Sequence, residues 1–400
     1  MRLALASFVG LAAVSPAAAQ TITLKPLAEA RMRYEFVDQD GVAANADAAT
    51  VRVRAGVSAT SGKWSMLVEG QGNLALSDDY FDGLNYKAGY PLVADPQNAA
   101  LYRAQIQYRT EAIVVTAGRQ RIALDDERFV GGVGFRQNGQ TFDAVRAEIS
   151  PVAKLKIDAA YARSVRTIWG VDGTGARPQA IDGDDLFGNV AYATPLGTIT
   201  TFGYLVDEDE AQVQGFRLSS QTYGLRLAGA HPAGKARLSY ALSFARQSDF
   251  HRNPNRYSAD YYLVDLGIEL RRAKVGAGYE VLGADGGTAL TSFQTPFATG
   301  FKFQGWADKF LTTPPDGVRD LYGSAGYSLK TLGPLSAVNV QAAYHRFDSD
   351  RVVRRYGDEI DLLASAKVRR TLVSLRYADY RAKAFGADTQ KLWLQLDWAI

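Results

Sequence analysis

The 400-residue chain contains no cysteine and only 3 histidines and 3 methionines. Without cysteine there is neither a disulfide scaffold nor a thiolate site for a transition metal. His231, His251 and His345 are far apart in sequence, and no nucleophile motif accompanies them, so a Ser-His-Asp hydrolase has no support. An excess of charge of one sign is also missing. The 45 Lys and Arg nearly cancel the 42 Asp and Glu, and no basic arm or acidic tail points to nucleic acid. Helix-period stretches of useful length are absent. The N-terminal apolar run from Leu3 to Val14 is well short of the ~20 residues that a membrane-spanning helix needs.

That N-terminus, "MRLALASFVGLAAVSPAAAQ", instead reads as a secretory signal peptide over residues 1–19. Arg2 supplies the charge, and Ala17 to Ala19 form an A-x-A site before Gln20. Residues 20–400 are expected to be exported as one domain.

What the chain does have is tyrosine (21), glycine (38) and one repeated pattern. Apolar and polar residues alternate for about ten residues at a time. In "VRVRAGVSAT", Val51, Val53, Ala55 and Val57 oppose Arg52, Arg54 and Ser58. In "ARLSYALSF", Leu238, Tyr240, Leu242 and Phe244 oppose Arg237, Ser239 and Ser243. Short turns are predicted near Gly62, Thr110, Pro151, Pro195, His231 to Gly234, Arg272, Gly333 and Arg369. Longer polar connections alternate with them: 38–48, 78–98, 122–140, 165–184, 207–219, 248–257, 284–316 and 348–356. This rhythm predicts an all-β fold, a transmembrane antiparallel β-barrel in the bacterial outer membrane. About eighteen strands are expected, with short periplasmic turns and long extracellular loops. A barrel of that size should enclose an aqueous channel. The terminal "LWLQLDWAI" should be the closing strand, paired with the first near Leu24 to Phe36. It is also the segment for the barrel-assembly machinery to read, although Ile400 replaces the usual final Phe. A soluble sandwich would have to bury one face of every strand, which needs lipid or an equally large second sheet.

With the apolar face on outer-membrane lipid, the polar face lines the lumen. Its expected members include Glu29, Arg31, Arg33, Arg52, Arg54, Glu69, Arg103 and Arg146. Bases exceed acids there, which predicts a positive lumen field, although cross-strand pairing will absorb many of these charges. The loop "GRQRIALDDERFVGGVGFRQNGQTFDAVR" (Gly118 to Arg146) is dense in charge and glycine. It is expected to fold inward as a constriction, with Arg128 and Arg136 tethered by Asp125, Asp126 or Asp143. Arg119 is expected to point inward, through a bulge at Gly118 or an inverted strand parity. Arg376 is expected to lie away from this constriction. Acid clusters at Asp182 to Asp185 and Asp207 to Glu210 are assigned to loops, where they would hold a calcium ion or, more plainly, stay solvated. No other cofactor is expected.

The run from Gly118 to Arg146 resembles the "GRQ…D…R…GG.G.RQ…QTFD..R" segment of the alginate export family. "FQTPFATGFKFQGWADKF" (Phe293 to Phe310) resembles that family's other recurrent segment. The resemblance implies a monomeric eighteen-stranded barrel with an arginine-lined constriction that passes an anionic polysaccharide. Carried onto this sequence, Arg119, Arg128 and Arg136 would line the conduit, with Asp125 and Asp143 orienting them. Phe135 stands where Trp is common and Phe301 where His is often seen. The leading expectation is therefore a passive channel for an exported anionic polymer. A diffusion porin for sugar acids or other small anions is the alternative, ahead of a barrel enzyme or an adhesion barrel.

Overall fold

Strict alternation gives each strand one apolar and one polar face, and a sheet that closes on itself sends the two faces to opposite sides. The computed structural model describes residues 21–209 and 215–399, so the predicted leader, its cleavage site and Ile400 lie outside the described residues. The strands are β1 (Thr23–Gln39), β2 (Ala46–Ser61), β3 (Trp64–Ala75), β4 (Asn98–Arg109), β5 (Ile113–Gln120) and β6 (Thr141–Ile149). They continue as β7 (Leu155–Arg166), β8 (Ala180–Thr194), β9 (Gly197–Val206), β10 (Ser220–Ala233), β11 (Ala236–Asp249) and β12 (Ser258–Leu270). The last six are β13 (Ala273–Leu282), β14 (Val318–Leu332), β15 (Leu335–Asp348), β16 (Arg355–Val368), β17 (Thr371–Ala382) and β18 (Thr389–Ala399). Each pairs antiparallel with its neighbours in chain order, and β1 pairs with both β2 and β18. The sheet therefore has no open edge.

The closing seam shows how sequence sets the register. Met32 lies opposite Leu396 and Tyr34 opposite Leu394 on the outer face, while Arg31 meets Asp397 and Arg33 meets Gln395 inside. A slip by one residue would send those arginines into lipid. Outward side chains such as Leu266, Ile268, Leu362 and Leu394 are each about half exposed. That apolar wall suits hydrocarbon, since burying it is favourable by about 25 cal/mol per Å².

Several elements differ from the sequence reading. A ninth outer connection, residues 383–388, joins β17 to β18 and was not anticipated. Residues 182–185 lie on β8 instead of in a loop, and His231 lies on β10 instead of in a turn. Asp207 pairs with His251 at 2.6 Å and Asp209 pairs with Arg252. Among the described residues no group of three or more acids and imidazoles is placed to hold a metal. The lumen is also not open along its whole length. Ile122, Leu124, Val130, Phe293, Phe297 and Phe310, from two inward-folded loops, form an apolar cluster with the inward rings of Phe142, Phe187, Tyr261 and Tyr380. A barrel this wide has room for two loops, and those loops carry enough apolar surface to pack there.

Because the chain has no cysteine, single-cysteine variants test the topology without background labelling. A membrane-impermeant maleimide should label Gly286→Cys on intact cells, and label Lys235→Cys only after the outer membrane is opened. Unheated protein should run anomalously on a denaturing gel, because a closed barrel resists detergent. The reverse labelling pattern would invert the assignment of the two mouths.

Candidate functional site

Two outer loops, residues 121–140 between β5 and β6 and residues 283–317 between β13 and β14, meet inside the barrel and zip together. Val130 and Phe297 form a parallel β-bridge, and the Gly131 amide donates to the Phe297 carbonyl at 2.9 Å. The Gln140 side-chain amide donates to the same carbonyl, and the Thr299 hydroxyl donates to Glu127 at 2.6 Å. The two segments singled out in the sequence thus form one unit, a plug across the lumen. Rings lock it to the seam. Phe135 stacks on Phe301 with ring planes 4° apart, and both meet the inward Trp393 of β18 edge-on. Lys302 reinforces the junction by pairing with Glu127, whose carboxyl it and Thr299 hold below the usual range against the opposing effect of burial.

Charged fasteners hold the plug to the wall. Arg128 Nε donates to Glu280 of β13 at 2.6 Å, and both side chains are 3% exposed. The Tyr261 hydroxyl donates to the same Glu280 oxygen at 2.8 Å. Arg136 reaches Glu35 of β1 at 3.4 Å and Asp308 of the second loop. From the seam, Arg31 Nη1 donates to the carbonyls of Gly134 and Phe135 at 3.0 Å, and Arg33 donates to the Phe135 carbonyl. Arg33 also lies 4.1 Å from the centre of the Phe135 ring. Guanidinium suits this work because one planar head serves a carboxylate, a carbonyl and a ring together.

These placements correct several expectations. The tethers of Arg128 and Arg136 are Glu280, Glu35 and Asp308, not the nearby acids in sequence. Asp125 accepts from Asn189 at 2.8 Å, and Asp126 pairs with Arg226 at 2.8 Å. Burial holds the Asp125 carboxyl above its usual range although Arg226 pulls it down. Arg119 does not face the lumen. It pairs in register with Ala104 and Asp143, while its neighbour Gln120 pairs with the inward Phe142. Strand parity is regular through Gly118, so the charge comes out near the extracellular rim, where Asp143 takes it through two hydrogen bonds of 2.7 and 2.9 Å. Asp143 does therefore orient Arg119, but outside the conduit. Gly118 is still required there: its φ is +108°, and a Cβ would lie 2.3 Å from the Ala104 carbonyl oxygen. Arg376 is no remote control either, since its guanidinium lies 5.5 Å from the Phe135 ring.

Arg52, Arg54, Arg103 and Arg146 do come together. With Arg31 and Arg121 they line a chamber between the underside of the plug and the periplasmic mouth, against only Glu29, Glu127 and Glu148. Arg52 and Arg54 share Glu29 at 2.9 Å each. Arg103 pairs with Glu69 and Arg146 with Asp158, acids of the wall that do not line the chamber. Arg121 was not singled out from the sequence. It follows β5 directly and is exposed, without a hydrogen-bonding or ion-pair partner among the described residues. Above the plug is an outer vestibule lined by Lys309 and Lys391, among others. Lys309 donates to Thr389 at 2.6 Å and Gln39 at 3.3 Å, and burial beside Lys391 pushes its amine down to about 8.

A search of curated protein sequences finds no match. Solved outer-membrane proteins share the fold at low sequence identity. OpdK from Pseudomonas aeruginosa, in a structure with vanillate, superposes with a TM-score of 0.71 at 13% identity, covering 94% of this chain and 98% of that one. OccAB4 from Acinetobacter baumannii gives a TM-score of 0.72 at 11% identity, covering 96% and 99%. OccK8 (OprE) from Pseudomonas aeruginosa gives 0.71 at 13%, covering 94% and 98%. The sequence model for alginate export matches residues 24–377. With that match spanning most of the barrel, the chain is an outer-membrane β-barrel channel that belongs to the alginate export family.

Proposed function

We propose that the protein passively conducts an anionic carbohydrate across the outer membrane, in the export direction, as a polyuronate-like chain. The observation that carries this reading is the arginine chamber on the periplasmic side of the plug. A cluster of fixed positive charge within low-dielectric walls attracts polyanions from the periplasm more strongly than the same charges would in open water. The exposed Arg121 gives such a chain a first contact. The partly exposed Arg31, Arg103 and Arg146 offer several weak ones, as conduction requires, with Arg52 and Arg54 buried behind them on Glu29. No covalent step is needed, and the channel is expected to act as a monomer.

A second reading, a porin for small sugar acids, draws on the plug itself. Its stacked rings and buried ion pairs fix a narrow passage suited to small solutes. The OpdK structure with vanillate, a small carboxylate, is a neighbour in fold.

In planar bilayers the channel should favour anions, and polyuronate added to the periplasmic side should block it more strongly than from the outer side. Equal block by glucuronate monomer and polymer would favour the porin. Arg121→Glu should lower the anion-to-cation permeability ratio by roughly threefold, fading as salt screens the chamber. Arg119→Gln should leave that ratio unchanged, since Arg119 is on the outer face. A cation-selective native channel would remove both readings.

The Lys309 amine gives a pH signature. Its pKa is depressed to about 8 in the folded protein, below its ordinary value, so the unfolded chain binds this proton more tightly. Raising the pH through 8 toward 10 therefore removes a cost to folding, and removes one positive charge from the outer vestibule. Block by small anions from the extracellular side should weaken between pH 7 and 9, and Lys309→Met should flatten that dependence.

The fasteners can be tested separately. Glu280→Ala leaves Arg128 buried without its carboxylate, which costs about 3 to 5 kcal/mol. Part of that cost should appear as a released plug, with larger and noisier single-channel conductance in a barrel that remains heat-modifiable.

A further inference from the structure

Charges that nearly cancel over the whole chain do not cancel at the periplasmic mouth. The eight short turns there carry seven bases and one acid, Glu111. Lys63, Lys154 and Lys235 stand in three of the turns, and the pairs Arg271–Arg272 and Arg369–Arg370 in two more. All seven are exposed, and none has an ion-pair partner among the described residues. The outer connections differ. Their charges are mixed in sign and include pairs such as Lys87 with Asp78, Arg252 with Asp209 and Arg351 with Asp316.

Strand parity carries the excess inside the lip. Arg237, Lys274 and Lys367 each lie two residues from one of these turns. Their neighbours Leu238, Val275 and Val368 are about half exposed on the lipid face, so alternation points all three bases to the lumen. Glu269 stands in register with both Arg237 and Lys274 and offsets one charge of that pair. The arginine chamber is thus preceded, on its periplasmic side, by a basic mouth that the chain leaves without matching acids.

The spacing of these charges selects their partner. Strands lie about 4.8 Å apart, so successive turns around the rim are separated by about 10 Å, close to the distance over which salt screens a charge. A single small anion meets one turn at a time and gains little. A flexible chain with many charges meets several turns together. Lipid headgroups do not reach the lumen-facing bases, and a folded partner seated on the rim would leave them uncovered, whereas a chain entering the channel passes both sets. We propose that the periplasmic mouth is a capture surface for a flexible polyanion, which raises the rate at which chains enter without holding them there. The proposal rests on the polyanion reading and adds a separate step to it. Exposed, unpaired bases steer an anion during its approach, and steering of this kind changes association rates more than dwell times.

The test uses the full-length channel in a bilayer, with polygalacturonate as the probe and single blocking events as the readout. A variant combining Lys63→Gln, Lys235→Gln, Arg271→Gln and Arg272→Gln should bind polymer from the periplasmic side at a rate lower by roughly tenfold at low salt. The dwell time of each block should stay native, as should the association rate from the extracellular side, and the difference should vanish at high salt. A native association rate in the variant would overturn the proposal and leave the basic rim to another partner, such as an acidic protein face. Equal slowing from both sides, or a changed dwell time at an unchanged rate, would also overturn it. These outcomes spare the polyanion reading, which fails only if polymer blocks the native channel from neither side, and the proposal then falls with it. If the fourfold variant forms no heat-modifiable barrel, Arg271→Gln with Arg272→Gln decides, with about a threefold slowing expected.

Discussion

Everything in this molecule depends on a sheet with no edge. Once β1 pairs with β18, every side chain of every strand is committed to lipid or to lumen, and the choice cannot be changed at one position without changing it along the strand. Arg119 shows the force of this rule. Its charge would be useful inside, but Ile113 to Gln120 keep their parity, so the guanidinium emerges on the outer face and needs Asp143 beside it.

Inside, the same residue type performs two tasks that sequence alone does not separate. Arg128, Arg33 and Arg136 are buried and held by carboxylates, carbonyls and rings, so they add rigidity and little field. Arg121 is exposed, and Arg103 and Arg146 are only partly buried where they line the chamber, whereas Arg52 and Arg54 are buried on Glu29. A buried ion pair is a weak source of net stability, since desolvation offsets most of the attraction. Its value here is positional: losing either partner strands a charge, so the loop has one seat.

Strand order, the division into short turns and longer connections, and the parity of most strands were legible in the sequence because each follows from local alternation; β5 was the exception, with Arg119 expected inward and found outward. The connection at 383–388 was missed because it is brief and "RAKAFGADT" interrupts the alternation only slightly. Partners across the lumen were not legible. Glu280 is more than a hundred residues from Arg128, and nothing local announces that a loop will reach it. Trp393, not singled out from the sequence, faces inward as the floor for Phe135 and Phe301. Those last two also stack on each other.

The seam has a consequence in time as well as in space. Arg31 and Asp397 are separated by 366 positions in the chain, and the Arg33–Gln395 contact is nearly as remote. Contacts of such high sequence separation form late, because the entropy of closing the loop must be lost before they give anything back. Yet Arg31 and Arg33 are also the side chains that grip the carbonyls of residues 134–136. Neither the first strand nor the last can complete its bonds to the plug until the two have found each other. The passage is therefore set in the final stage of assembly, by the same pairing that removes the last open edge from lipid.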